Sequence, residues 1–225
     1  MVVTPKRGRR RLTLAAAALT TVAGVGLLLR WSHAAPFNYI REVDRRPPAV
    51  SGVTVRWDII SIPSFTPTLN LKAGGQASAV AMGGARITLT GSGTFHPDGR
   101  NVVTGGGTWT LANTAGTVLG MGTYQVSALS QWNPGPGTEA PGTIDNIGRG
   151  ADFQSGLAFL KVHYSDGSRG ILILSCHAPQ GGVDAIPEGI SLCKDNVFFN
   201  MELPKPNVDW DRTSFHLVPL VPARG

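Results

Sequence analysis

Three copies of one pattern, Gly93-Thr94-Phe95, Gly107-Thr108-Trp109 and Gly122-Thr123-Tyr124, recur at steps of fourteen and fifteen residues. A glycine at a kink or bulge, a β-branched threonine and a large ring recur in this way when successive hairpins return an equivalent layer to the same place on a curved sheet. The pattern therefore predicts an antiparallel meander, with Pro97-Asp98-Gly99 supplying turn chemistry between its first two members.

The surrounding chain agrees. It is rich in Thr, Val, Gly and Ile, poor in the residues of surface helices, and broken by Gly or Pro about every ten positions. Val53 to Ile62 sets Val53, Val55, Trp57 and Ile59 against Thr54, Arg56 and Asp58 at period two, which predicts a strand stopped by Pro63. Gln76 to Met82 and Ala85 to Phe95 flank Gly83-Gly84 and read as a hairpin. The clearest hairpin signal is Leu157 to Tyr164, then Ser165-Asp166-Gly167-Ser168, then Gly170 to Cys176. In its return strand, four successive apolar residues, Ile171-Leu172-Ile173-Leu174, imply cover on both faces. Val197-Phe198-Phe199 and Thr213 to Val218 read as further strands, and Asn133 to Asp152 as a long loop suited to a partner contact. Within that loop Asp145, Arg149 and Asp152 match no calcium or catalytic spacing and are taken as solvated. The fold class expected is all-β: a single antiparallel β-barrel or β-sandwich, preceded by one N-terminal hydrophobic helix. Residues 53–225 form the β-domain, 35–52 an extended linker with Pro47-Pro48, and 1–34 a targeting segment.

That targeting segment has a basic head, Lys6 to Arg11, followed by an uncharged run from Leu12 to Leu29. Removing residues 1–34 takes Lys plus Arg from 20 to 14 against 14 Asp plus Glu, so the body of the chain is electrically neutral and the basic whole-chain balance implies no nucleic acid. Two readings stay open. Ser32-His33-Ala34 before Ala35 fits a cleaved signal peptide. Retention as a membrane anchor would use Leu12, Leu14, Val22, Val25, Leu27, Leu28, Leu29 and the interfacial Trp31. Either places the body on the periplasmic or cell-surface side of the inner membrane.

In an exported chain the two cysteines, Cys176 and Cys193, are read as one disulfide. Used instead as soft ligands with His177, they make a poor metal site, and no metal is expected. His163, His177 and His216 could gather in space, though their spacing does not require it. Neighbours in Ser175-Cys176-His177 point to opposite faces of a strand, and Asp58, Asp209 and Asp211 form no compelling acid and base pair. There is no Gly-x-Ser-x-Gly elbow, phosphate loop, dinucleotide fingerprint or heptad repeat, so neither catalytic residues nor a cofactor is expected.

In architecture alone, the Gly-rich pattern of eight or more strands resembles dirigent-like and calycin-type barrels, a likeness that carries no function. The leading functional expectation is a non-catalytic extracytoplasmic binding or scaffolding protein, in its sharper form an anchored accessory subunit of an integral membrane protein complex. The rival is a secreted barrel that binds or converts a small apolar molecule in a pocket lined by Phe95, Trp109, Tyr124 and Trp132; core packing is the blander role for those rings.

Overall fold

The computed structural model describes residues 52–98 and 102–219. The targeting segment and all but the last residue of the linker, including Leu12 to Trp31, lie outside the described residues. Among the described residues no helix is long and apolar enough to cross a membrane.

In chain order the strands are β1 (Val53–Ser64), β2 (Asn70–Ala73), β3 (Ala77–Ala81), β4 (Arg86–Leu89), β5 (Ser92–Phe95), β6 (Val103–Ala112), β7 (Val118–Gly135), β8 (Ile144–Asp145), β9 (Ser155–Tyr164), β10 (Arg169–Cys176), β11 (Gly189–Lys194), β12 (Val197–Met201) and β13 (Thr213–Pro219). A single 3-10 turn, Gly150–Asp152, precedes β9. Eight strands close on themselves in the order β3-β12-β11-β10-β9-β7-β6-β4, every pairing antiparallel, with β4 returning to β3. Closure leaves these strands no free edge, which is how an all-β chain avoids edge-to-edge association. Of the two architectures the sequence allows, the chain adopts the barrel.

The remaining strands are built onto one flank. The first half of β6 pairs with β5, β5 with β1, and β1 with β13. The far end of β1 turns to β2, which runs parallel to β8. Just before β9, Phe153 bridges His216 and the Gln154 N–H donates to the Phe215 carbonyl at 2.9 Å, tying β13 back to the barrel.

The repeated tripeptide explains itself in the register of β6 and β7. Trp109 stands opposite Gly122, and Tyr124 opposite Gly107. The Trp109 ring covers the glycine of the neighbouring copy, where a Cβ at Gly120 or Gly122 would press on it at 3.1 Å, while the Tyr124 ring reaches Gly91 and its hydroxyl donates to the Thr90 carbonyl at 2.9 Å. Rings laid over cross-strand glycines hold the strands in register and allow the sheet to curl tightly. In the first copy, Gly93 faces Gly105 and leaves room for the Trp57 indole.

The interior is filled. Phe95, Trp132 and Phe215 pack together with centroids 4.7 to 6.3 Å apart, while Trp109 and Tyr124 both meet Tyr164 at about 6 Å. Such ring pairs contribute roughly 0.5–1.5 kcal/mol each beyond their burial. Nearby, Lys194 lies over Trp109 and Tyr164 at 4.6 and 5.0 Å and pairs with Asp166 at 2.5 Å and Asp195 at 3.5 Å, a buried cation held by ring faces and two carboxylates.

The hairpins fall where the turn residues put them: β3 and β4 meet around Gly84, with φ of 81°, and β9 and β10 around Gly167, with φ of 87°. One burial expectation needs correction. Leu172 and Leu174 are fully buried, but Ile171 and Ile173 are only half-covered, because the outer face of β10 carries no second layer. The disulfide also requires correction: Cys176 and Cys193 are free thiols. Cys193 stands opposite Ile171, five positions along β10 from Cys176, or about 17 Å at the rise of a strand. A bridge needs Cα atoms under about 7 Å apart. Besides the distance, Cys176 points into the core and Cys193 does not.

Candidate functional site

The alternation of β1 breaks after Ile59. Val55, Trp57 and Ile59 are wholly buried in the barrel core, yet Asp58, Ile60 and Ile62, on the opposite face, are closed from solvent as well. The cover comes from the segment between β7 and β9, which docks through β8 onto β2. The Ile144 N–H donates to the Leu69 carbonyl at 2.8 Å and the Asn146 N–H to that of Leu71 at 3.1 Å. Beneath it Ile60, Ile62 and Leu71 gather Phe65, Leu69 and Ile147 into a second apolar cluster, separate from the barrel core.

A cleft of about 280 Å³ opens beside this cluster. Ile60, Ile62, Phe65, Leu69 and Leu71 form its apolar wall, Phe153 and Pro179 add to it, and Glu139, Thr143, Cys176, His177, Glu188 and Arg212 bring polar groups. An apolar concavity with a few convergent polar groups is the usual form of a small-molecule site, here at the small end of the size range.

Glu188 is the best-held of the polar groups. One carboxylate oxygen accepts the Thr213 N–H at 2.6 Å and the other the His177 N–H at 2.8 Å. Burial pushes its pKa up to about 8, against the opposing pull of those two N–H groups and of Arg212. The Cys176 thiol, 1% exposed, is raised well above the ordinary thiol range by burial first and by Glu188 second, which keeps it protonated and unreactive. His177 donates through Nδ1 to the Ile186 carbonyl at 2.9 Å, since a carbonyl can only accept.

Next to Glu139, which lines the cleft, stands a partly buried charge network. Arg56 forks onto Asp58, Nε to Oδ2 at 2.7 Å and a terminal nitrogen to Oδ1 at 3.0 Å, and its second terminal nitrogen donates to the Ile147 carbonyl at 3.2 Å. Asp58 is fully buried, and burial raises its pKa despite the arginine. Next to this pair, Asp145 Oδ2 lies 2.8 Å from His216 Nε2, while Asp145 Oδ1 accepts the N–H groups of Ile147 and Gly148 at 2.8 and 3.2 Å. Glu139 completes the group: burial first, then the Asp145 charge, push its pKa up to about 7. One nitrogen or oxygen from each of Glu139, Asp145 and His216 lies within 4.8 Å of the others.

The four rings expected to line a pocket do not line this cleft. Phe95, Trp109 and Tyr124 are at most 4% exposed, and Trp132 packs against them. His163 and Cys193 border a more open groove of about 600 Å³ along the outside of β9 to β11, away from His216, so the three histidines do not gather. Asp209 accepts from the Ser61 hydroxyl at 2.6 Å and from the Ile62 N–H, Asp211 from the Ser78 N–H at 2.6 Å; both are anchors of the loop before β13. Of the charged loop residues, Arg149 and Asp152 form an exposed ion pair at 2.6 Å. Asp145 is not solvated: its side chain is 4% exposed. The signal for it was Asp145-Asn146-Ile147-Gly148, an Asx-type turn whose aspartate must point back at its own backbone. The fold and cleft define an eight-stranded closed barrel with a lateral concavity. The chain matches no protein-family model, no curated protein and no solved structure.

Proposed function

We propose that this protein binds, without transforming it, a small and largely apolar molecule bearing one hydrogen-bonding head group, and that it does so in the cleft beside the barrel. The observation that carries this reading is the second face of β1: Ile60 and Ile62 are apolar where an outer strand face would be polar, and they form the wall of a concavity that ends at Glu139. Rings fill the barrel interior, which leaves the flank as the place for a ligand. A protonated, inert Cys176 and a Glu188 occupied by backbone donors favour binding over chemistry. The proposed address is outside the cytoplasm, and it rests on Leu12 to Leu29 alone, since a disulfide no longer argues for an oxidising space. Membership of a membrane complex draws on that same segment and on no feature of the β-domain.

Titration of the full chain with an environment-sensitive apolar fluorophore tests the reading. Saturable enhancement at one equivalent is expected, abolished by Ile62→Trp, which fills the cleft, and retained by Trp132→Phe. A linear, non-saturating signal, or one indifferent to Ile62→Trp, overturns it.

A further inference from the structure

Glu139, Asp145 and His216 come from three separate stretches of chain, the middle of a loop, strand β8 and strand β13. We propose that Nε2 of His216 and one carboxylate oxygen each of Asp145 and Glu139 bind a single divalent transition-metal ion, Zn²⁺ being the ion this donor set fits best. The three donor atoms lie within 4.8 Å of one another, and the Asp145 and His216 pair is already at 2.8 Å, so the longer Glu139 side chain is the one that closes onto the ion.

One observation besides proximity points to a ligand. Glu139 Oε1 is buried with no hydrogen-bond partner among the described residues, and it belongs to the same group as the buried His216, 1% exposed, whose Nε2 faces Asp145. Buried polar atoms are nearly always satisfied, and orphans of this kind mark an absent ion or water. Charge leads to the same place. Arg56 is hydrogen-bonded to Asp58 and only acts on Asp145 at longer range, which leaves two further carboxylates crowded beside His216 in a partly buried pocket.

The loop is also shaped to the donors. A Cβ at Gly148 would fall 2.8 Å from His216 Cγ, and one at Gly150 2.7 Å from Glu139 Oε2, so both glycines make room for the side chains in question. Asp145 is oriented by two backbone N–H groups, the kind of outer support that metal ligands usually have. One imidazole with two carboxylates suits Zn²⁺ at about 2.0–2.2 Å per ligand and leaves a position open. It offers too few oxygens for Ca²⁺, which takes about 6–8. Since Glu139 also lines the cleft, that open position faces the ligand's head group; this last clause alone rests on the binding function proposed above.

The experiment uses untagged full chain in mild detergent, stripped by chelator and titrated with Co²⁺ as a visible-absorbing stand-in, followed by Zn²⁺. Absorption bands of low-symmetry Co²⁺ are expected to saturate at one equivalent and to be displaced by Zn²⁺. Glu139→Gln, at a position outside the core, is expected to weaken binding at least about tenfold with an unchanged far-ultraviolet spectrum, since even outer-shell losses cost roughly 10–100-fold. Cys193→Ser leaves binding unchanged. Absence of saturable bands overturns the proposal, as does binding indifferent to Glu139→Gln, binding lost in Cys193→Ser, or displacement by Mg²⁺ or Ca²⁺ as readily as by Zn²⁺. The fluorophore titration reads the cleft separately, so failure of one does not masquerade as failure of the other.

Discussion

The β6 and β7 pair and the segment that roofs β1 are each built around glycines next to a large ring, and the two use the device in opposite ways. In the barrel, Gly122 leaves Trp109 room to lie across β7, and Gly107, opposite Tyr124, lets the Thr90–Gly91 backbone approach β6, all within the run from β4 to β7. In the roof, Gly148 leaves space for a ring from β13, far away in sequence, and what it houses is a polar network rather than a packed core. Local regularity builds the scaffold; long-range, irregular contacts build the site.

Substitution at the two kinds of glycine should separate them. A Cβ at Gly107 would land on the Thr90 carbonyl and within 2.7 Å of Gly91 Cα, both backbone and unable to yield. Gly107→Val is expected to cost more than about 4 kcal/mol, the range reserved for a short list of severe defects, and to leave no cooperative urea transition. At Gly148 the obstacle is a side chain. Gly148→Ala is expected to cost about 1–3 kcal/mol by overpacking, readable as a lower urea midpoint with an unchanged slope, and to weaken Co²⁺ binding because the His216 ring moves off Asp145. If both variants lose stability equally, the distinction between scaffold and site glycines fails.

The same contrast accounts for what the sequence revealed. The meander, the Gly84 and Gly167 hairpins and the inward set Val55, Trp57 and Ile59 follow from period-two alternation and turn chemistry, both encoded within a dozen residues. The cleft was illegible because its walls come from β1, β2, the loop after β7 and the approach to β13, and no local pattern records that juxtaposition. One trace was present: Ile59, Ile60 and Ile62 break strict alternation, the mark of a strand covered on both faces. Cysteine counting failed for a related reason. It takes even number as pairing, whereas the register of β10 and β11 sends the two thiols to different positions and different faces.

A smaller effect distinguishes the cleft from the barrel by its response to pH. Glu188 has a folded-state pKa of about 8, above the value near 4.5 of the unfolded chain, so folding favours its protonated form. Its contribution to stability is therefore complete below about pH 4.5 and is lost as pH rises through about 8. Asp166, on the barrel hairpin, behaves oppositely: its bond to Lys194 lowers the pKa to about 2, so its contribution is present above the unfolded value and lost only in acid. Between pH 5 and 8 the urea midpoint of metal-free protein is thus expected to fall, and Glu188→Gln to flatten that slope while lowering the acid-side midpoint, because one amide cannot accept from both Thr213 and His177. Asp166→Asn should leave the slope over that interval intact. A wild-type midpoint that climbs from pH 5 to 8 would mean that the backbone donors outweigh burial and that Glu188 is held as a carboxylate.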